Sequence, residues 1–181
     1  MRLERARTAL VVVDVQERLF PHIHEHESLE RELVRLARGI GVLSVPVVVT
    51  EQYVKGLGPT IPSLARALGS AYTPLEKMSF SCCGDDGFVA ALERTECQHV
   101  LLCGIETHVC VYQTASDLIA RGYHVHLLSD AVGSRSPHNR DVGRRRIEAA
   151  GAFPTSVEMA LFELLGVSGT DEFRAVSKIV K

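Results

Sequence analysis

Thr8-Ala9-Leu10-Val11-Val12-Val13-Asp14 is an aliphatic, largely β-branched run that stops at an acid. A strand with one wet face alternates apolar and polar residues, whereas one covered on both faces reads as an unbroken apolar run. This stretch therefore predicts a buried strand of a parallel sheet. Similar runs recur at Val45–Thr50, with Pro46 at its start, at His99–Cys103 before Gly104, and at His124–Leu128 before Ser129-Asp130. Pro74–Lys77 and Ala152–Pro154 are weaker candidates and bring the set to six. Helical patterns fill the gaps: Leu29–Leu43, with Leu33, Leu36, Ala37 and Ile40 on one face, then Ser63–Leu68, Gly87–Arg94, Thr107–Arg121, Asn139–Ala150 and Val157–Leu165. Gly122, Gly151 and Gly166 follow three of these as left-handed stops, and Asp171–Lys181 reads as a last amphipathic helix. Strand–helix alternation predicts an α/β fold: three layers, α/β/α, around a six-stranded, mostly parallel, Rossmann-like sheet, as one domain over residues 1–181.

The totals narrow the function classes. The chain has 181 residues, 46% hydrophobic and 23% charged, with 20 Lys and Arg against 22 Asp and Glu for a net charge of −2. A nucleic-acid partner would call for a basic face. The longest apolar runs, Ala9–Val13 and Val45–Val49, are far too short to cross a bilayer, and Met1–Arg7 does not have the form of a signal segment. Five cysteines, at 82, 83, 97, 103 and 110, make an odd count without a CxxC pair. Such cysteines read as small buried hydrophobes in a reducing cytoplasm rather than as a disulfide or zinc framework.

In open α/β sheets ligands bind beyond the carboxyl ends of the strands. The polar groups there are Asp14, Glu51, Gln52, Lys77, the segment Gly104–Cys110, and Asp130. Cys110 stands apart from the other cysteines. With Thr107 as a cap it falls in the first turn of a helix, where free N–H groups and the helix dipole favour a thiolate and form an oxyanion hole. Asp14, after five apolar residues, is a partly desolvated carboxylate suited to act as a base. Lys77, in an apolar-flanked stretch, needs a partner, and beside Asp14 and Cys110 it would favour both anions and steady developing negative charge.

Val13-Asp14-Val15-Gln16, Glu76-Lys77-Met78-Ser79-Phe80 and Gly104-Ile105-Glu106-Thr107-His108-Val109-Cys110 resemble, in order, three signature segments of the isochorismatase-like cysteine hydrolases. Thr50-Glu51-Gln52-Tyr53 and Lys55-Gly56-Leu57-Gly58-Pro59-Thr60 are similar to the isochorismatase domain-containing subgroup. The resemblance implies an Asp14–Lys77–Cys110 triad and an oxyanion hole from the N–H groups of Glu106 and Cys110. It also implies a cis peptide between Ile105 and Glu106, and self-association into a homo-oligomer. The implied substrates are small amides such as nicotinamide, N-carbamoyl compounds, or the vinyl ether of isochorismate. Phe20, Gln52, Tyr53 and His108 are the candidate substrate contacts.

The chain departs from the nicotinamidases of this family, which carry an Asp-x-His metal pair after the second strand. Here that strand ends Thr50-Glu51-Gln52-Tyr53, so neither metal nor other cofactor is expected. His22, His24 and His26 form a rival metal motif, but Pro21, Glu25 and Glu27 around them favour a solvated loop. Arg135 would meet an anionic substrate group or pair with Asp130. A nucleotide-binding module lacks its Gly-rich loop after the first strand, where Asp14-Val15-Gln16-Glu17 stands. A catalytically silent scaffold is the remaining competitor, against which the intact triad argues.

Overall fold

The computed structural model describes residues Met1–Lys181. Six strands, β1 (Thr8–Val13), β2 (Val47–Gln52), β3 (Leu75–Lys77), β4 (His99–Ile105), β5 (His124–Gly133) and β6 (Phe153–Thr155), form one sheet in the order β3-β2-β1-β4-β5-β6. Every pairing is parallel. All six residues of β1 are buried, as its sequence demands. Leu10 and Val12 enter one core and Ala9, Val11 and Val13 the other, because successive side chains leave a strand on opposite faces. The first core is closed by α1 (His26–Leu43), α3 (Pro62–Leu68), α7 (Val157–Leu165) and α8 (Asp171–Val180). The second is closed by α4 (Asp86–Glu93), α5 (Tyr112–Ala120) and α6 (Pro137–Ala149). Strand order reverses between β1 and β4, where Val13 pairs with Gly104. A crevice opens at that point.

Three details differ from the sequence reading. A four-residue helix, α2 (Val54–Leu57), follows β2 directly, entered through Tyr53 in a left-handed conformation. β5 runs on to Gly133, because its register with β4 slips: Leu102 pairs with Leu127 but Gly104 with Val132. The slip frees Asp130, whose carboxylate accepts the Val157 N–H at 3.0 and 3.1 Å and so caps α7. Finally, the predicted helix from Thr107 begins as a π-helical turn, Thr107–Val111, before α5 proper.

A buried histidine pair marks the opposite end of the sheet. His99 Nδ1 lies 3.1 Å from His126 Nε2, and both residues are 2% exposed. Burial, reinforced by the positive charge of neighbouring histidines, lowers both, His126 to about 4. The folded protein binds these protons less readily than the unfolded chain, so their neutral form supports the fold above about pH 6.5. That support drains as pH falls from there towards 4. Urea denaturation at pH 7.5 and pH 4.5 should show this loss, and His126→Leu should reduce it; a pH-independent midpoint contradicts the assignment.

Candidate active site

Three strand ends build the site. Asp14 follows β1, Tyr53 follows β2 and Glu106 follows β4, all in left-handed conformations, with φ of 54°, 42° and 57°. Non-glycine residues adopt this region at a cost, and such strain gathers where a site must be aimed. Between β1 and β4 the backbones touch: Gly104 has φ 144°, and a Cβ there would run into the Val13 carbonyl. All peptide bonds are trans. The cis bond expected between Ile105 and Glu106 is therefore corrected, and the turn is redirected through the unusual dihedrals of Gly104 and Glu106 instead.

Asp14 and Lys77 meet in the protein interior. Lys77 Nζ donates to Asp14 Oδ2 at 2.6 Å, with side chains 1% and 3% exposed. The other two ammonium hydrogens go to the carbonyls of Ser79 at 3.0 Å and Phe80 at 3.2 Å. A lysine has three donors. All three are spent, so Lys77 holds Asp14 and the Ser79–Phe80 turn but has no hydrogen left for a reacting oxygen. The Thr50 hydroxyl donates to Asp14 Oδ1 at 2.8 Å, fixing the carboxylate from its other side.

Cys110 lies in the π-helical turn, 5% exposed, with its thiol 3.4 Å from Gln52 Oε1. Burial pushes this thiol well above its usual range, followed by the negative charge of Asp14, with Lys77 opposing. The sequence reading of a helix-favoured thiolate is corrected here. Thr107 does not cap the turn, because its hydroxyl donates to the Gly133 carbonyl at 2.9 Å. Cys110 is thus held as a thiol, in the same cavity lining as the Asp14 carboxylate. Cys82, fully buried nearby, is pushed up to about 12 by burial.

The turn that carries Cys110 is braced from behind. Gly143 of α6 packs so closely that a Cβ would lie 2.8 Å from the His108 nitrogen. Glu106, 6% exposed, is clamped by Arg135: the backbone N–H at 3.1 Å and Nε at 3.3 Å reach Oε1, and Nη2 reaches Oε2 at 3.1 Å. Arg135 thus pairs with Glu106 and not with Asp130. The Glu106 N–H itself finds no acceptor within the chain.

These groups surround a cavity of about 280 Å³. Its walls are Leu19, Leu57, Phe80, Ile105 and Val109, and its polar groups are Asp14, Gln52, Glu106, Cys110 and Arg135. Gln52, a candidate substrate contact from its place in the sequence, stands in this lining. Phe20, Tyr53 and His108 stand outside it. Phe20 is buried against His26, Tyr53 is half exposed, and His108 turns to Ser134 (3.2 Å) and Glu106 (3.7 Å). A larger cleft of about 390 Å³ beside α1, α6 and α7 contains no member of the Asp14–Lys77–Cys110 group. Its arginines are already committed, Arg35 to Glu32 and Arg140 to Glu25. No three His, Cys, Asp or Glu side chains converge as a metal-binding group. His22 and His24 are exposed and His26 opens α1.

The model of the isochorismatase domain matches residues 8–159, which span every strand and every site residue above. The chain belongs to the isochorismatase family. Relatives follow the same pattern along nearly the whole length. The secreted isochorismatase effector Isc1 of Phytophthora sojae is 39% identical over 188 residues, covering 99% of this chain and 87% of that protein. Isochorismatase domain-containing protein 2 of Bos taurus is 37% identical over 177 residues, covering 95% and 82%. Among solved structures, the MAR1 ribonuclease from Caenorhabditis elegans superposes with a TM-score of 0.93 at 39% identity, covering 99% and 92%. The protein therefore has the isochorismatase-family hydrolase fold and resembles the domain-containing subgroup. No helix is long and apolar enough to cross a membrane.

The sequence pattern does not reveal the apolar walls or Thr50. Leu57 sits on the unpredicted helix α2, and Phe80 is brought to the cavity by the Lys77 hydrogen bond to its carbonyl. Gln16 offers a fainter signal as a polar residue three positions beyond β1. It is wholly buried, its amide bonded to the Gln52 carbonyl (2.9 Å), the Gln52 N–H (2.7 Å) and the Gly58 carbonyl (2.6 Å).

Proposed function

We propose that this protein is a metal-independent cysteine hydrolase that cleaves a C–N bond in a small amide, carbamoyl or related substrate through Asp14, Lys77 and Cys110. The observation that carries the reading is one carboxylate, Asp14, held by Lys77 and Thr50 and sharing a cavity lining with the Cys110 thiol. Asp14 takes the thiol proton as sulfur attacks the carbonyl carbon, so the thiolate forms only when it is used. The free Glu106 N–H, with that of Cys110, receives the oxyanion. Collapse breaks the C–N bond while Asp14 returns the proton to the departing nitrogen, leaving a thioester. Asp14 then activates a water that releases the acid and restores the thiol. Lys77 touches no reacting atom in this scheme; it keeps Asp14 in place and its charge balanced.

The test is a panel of small amides, ureides and carbamoyl compounds, run with and without chelator, and with RNA as the competing substrate. Release of ammonia or amine that survives chelation supports the reading; phosphodiester cleavage without C–N turnover overturns it. The cavity and the net charge of −2 offer a phosphodiester backbone no surplus of positive charge. Cytoplasmic residence and self-association belong to the same proposal. All five cysteines are free thiols, which suits a reducing compartment. Tyr53, Met78 and Phe80 expose apolar surface near the cavity mouth, which suits an interface between copies.

A further inference from the structure

We infer that the substrate is electrically neutral, a small uncharged amide or ureide with a compact apolar body, because every charge at the cavity is already matched by its own partner. This rests on the hydrolase reading and narrows its substrate class. Two anions, Asp14 and Glu106, and one cation, Arg135, line the cavity, and a second cation, Lys77, lies buried behind Asp14. Asp14 is matched by Lys77 at 2.6 Å, and Glu106 by Arg135 through three hydrogen bonds of 3.1 to 3.3 Å. The formal sum is zero. Neither cation is idle: Lys77 has spent all its hydrogens, and Arg135 turns Nε, Nη2 and its backbone N–H to one carboxylate.

An anionic substrate entering this cavity would lose hydration against aliphatic and aromatic walls and approach two carboxylates, while the one cation in the lining, Arg135, is already neutralised by Glu106. A cationic substrate would lose hydration in the same way, and both carboxylates of the lining already have their counter-ions, Asp14 in Lys77 and Glu106 in Arg135. What the cavity does offer is the Gln52 amide beside the thiol, a neutral group able to donate and accept. The volume of about 280 Å³ lies below the range of roughly 300–1,000 Å³ typical of drug-sized ligand sites, which restricts the apolar body to a short chain or a single ring.

The Glu106–Arg135 pair is then the selector. Glu106→Gln keeps the shape, removes the anion and leaves Arg135 unmatched, which should admit carboxylates. Arg135→Gln leaves Glu106 unmatched and should exclude them further.

Two alkylating agents of similar size and different charge read this without any turnover: iodoacetamide, neutral, and iodoacetate, anionic. Their rates at Cys110, followed by peptide mass mapping near pH 8.5, give a ratio. Both need the same thiolate, so the raised pKa of Cys110 cancels from it. Wild type should favour iodoacetamide about tenfold more than a free small thiol does, from the Coulomb penalty on an unmatched anion. Glu106→Gln should erase about that factor and Arg135→Gln should enlarge it. Because the two variants push in opposite directions, a misfolded one cannot imitate the pattern, and Arg135→Gln alone tests the sign if Glu106→Gln does not fold. A wild-type ratio equal to that of the free thiol overturns the inference, as does a ratio unmoved by both variants. In the activity arm, pentanamide should exceed its terminal carboxylate analogue, glutaramate, in kcat/KM. A hydrolase that prefers glutaramate overturns neutrality alone. Failure to cleave any C–N bond strikes the hydrolase reading and leaves the alkylation ratio to judge the cavity.

Discussion

Cys110→Ala is expected to fold as the wild type does and to lose at least about 10³-fold in turnover of whichever C–N substrate the panel identifies. The two halves of that expectation have separate causes. Cys110 lines a cavity, and its polar contact is a 3.4 Å hydrogen bond to Gln52. Removing one sulfur there enlarges an existing space rather than opening a new void in a core, so stability should fall by no more than about 1 kcal/mol. The chemistry has no substitute, because the nearest other thiol, Cys82, is wholly buried and its proton is held more tightly than that of a free cysteine. Cys103→Ala provides the contrast. Cys103 lies in the core on the α1 side of the sheet, and its sulfur reaches the Val11 carbonyl at 3.7 Å. Its loss should lower stability and spare turnover. Thermal melts and steady-state rates on the two variants separate the roles; full activity in Cys110→Ala sinks the assignment of the nucleophile. The raised thiol pKa adds a signature: alkylation of wild-type Cys110 should lag behind a free thiol at neutral pH and gain steadily as pH rises.

Much of this site is legible in the sequence because its groups sit at strand ends. An unbroken apolar run such as Ala9–Val13 fixes both the strand and the place where it stops, so the pattern alone puts Asp14 at the sheet's carboxyl edge. The same holds for the segment leading to Cys110, whereas Lys77 ends a three-residue strand that the pattern marks only weakly. The rest depends on registers and turns that no local pattern encodes. The slip between β4 and β5 decides that Asp130 caps α7 and that Arg135 faces Glu106. The hydroxyl of Thr107 is taken by the Gly133 carbonyl, a residue 26 positions away, so a helix cap anticipated from sequence is lost to a tertiary bond. The thiol pKa departs from expectation for the same reason: local position suggests a helix dipole, while burial and the neighbouring carboxylate dominate. Leu57 and Phe80 look like ordinary loop residues until the flap beyond β2 and the turn beyond β3 are in place.

The second large effect concerns the pair that holds the base. Lys77→Met should destabilise the protein by about 3–5 kcal/mol, because it strands the Asp14 carboxylate in an interior where only Thr50 still offers it a hydrogen. The Ser79 and Phe80 carbonyls lose their donor as well, freeing the turn that forms one cavity wall. Asp14→Asn should cost a comparable amount by leaving a buried ammonium without its counter-ion. The double variant, Asp14→Asn with Lys77→Met, is the decisive one. Removing both charges removes the desolvation penalty together with the attraction, so its stability should lie well above the sum of the two losses, by a coupling of at least about 1–3 kcal/mol. Urea denaturation of the four proteins at pH 7 measures that coupling, and additivity within about 0.5 kcal/mol would show that the two groups do not act as a pair. Turnover should be absent from the double variant however stable it is, since nothing remains to accept the Cys110 proton. Recovery of the fold without recovery of activity would separate what this ion pair does for stability from what it does for chemistry.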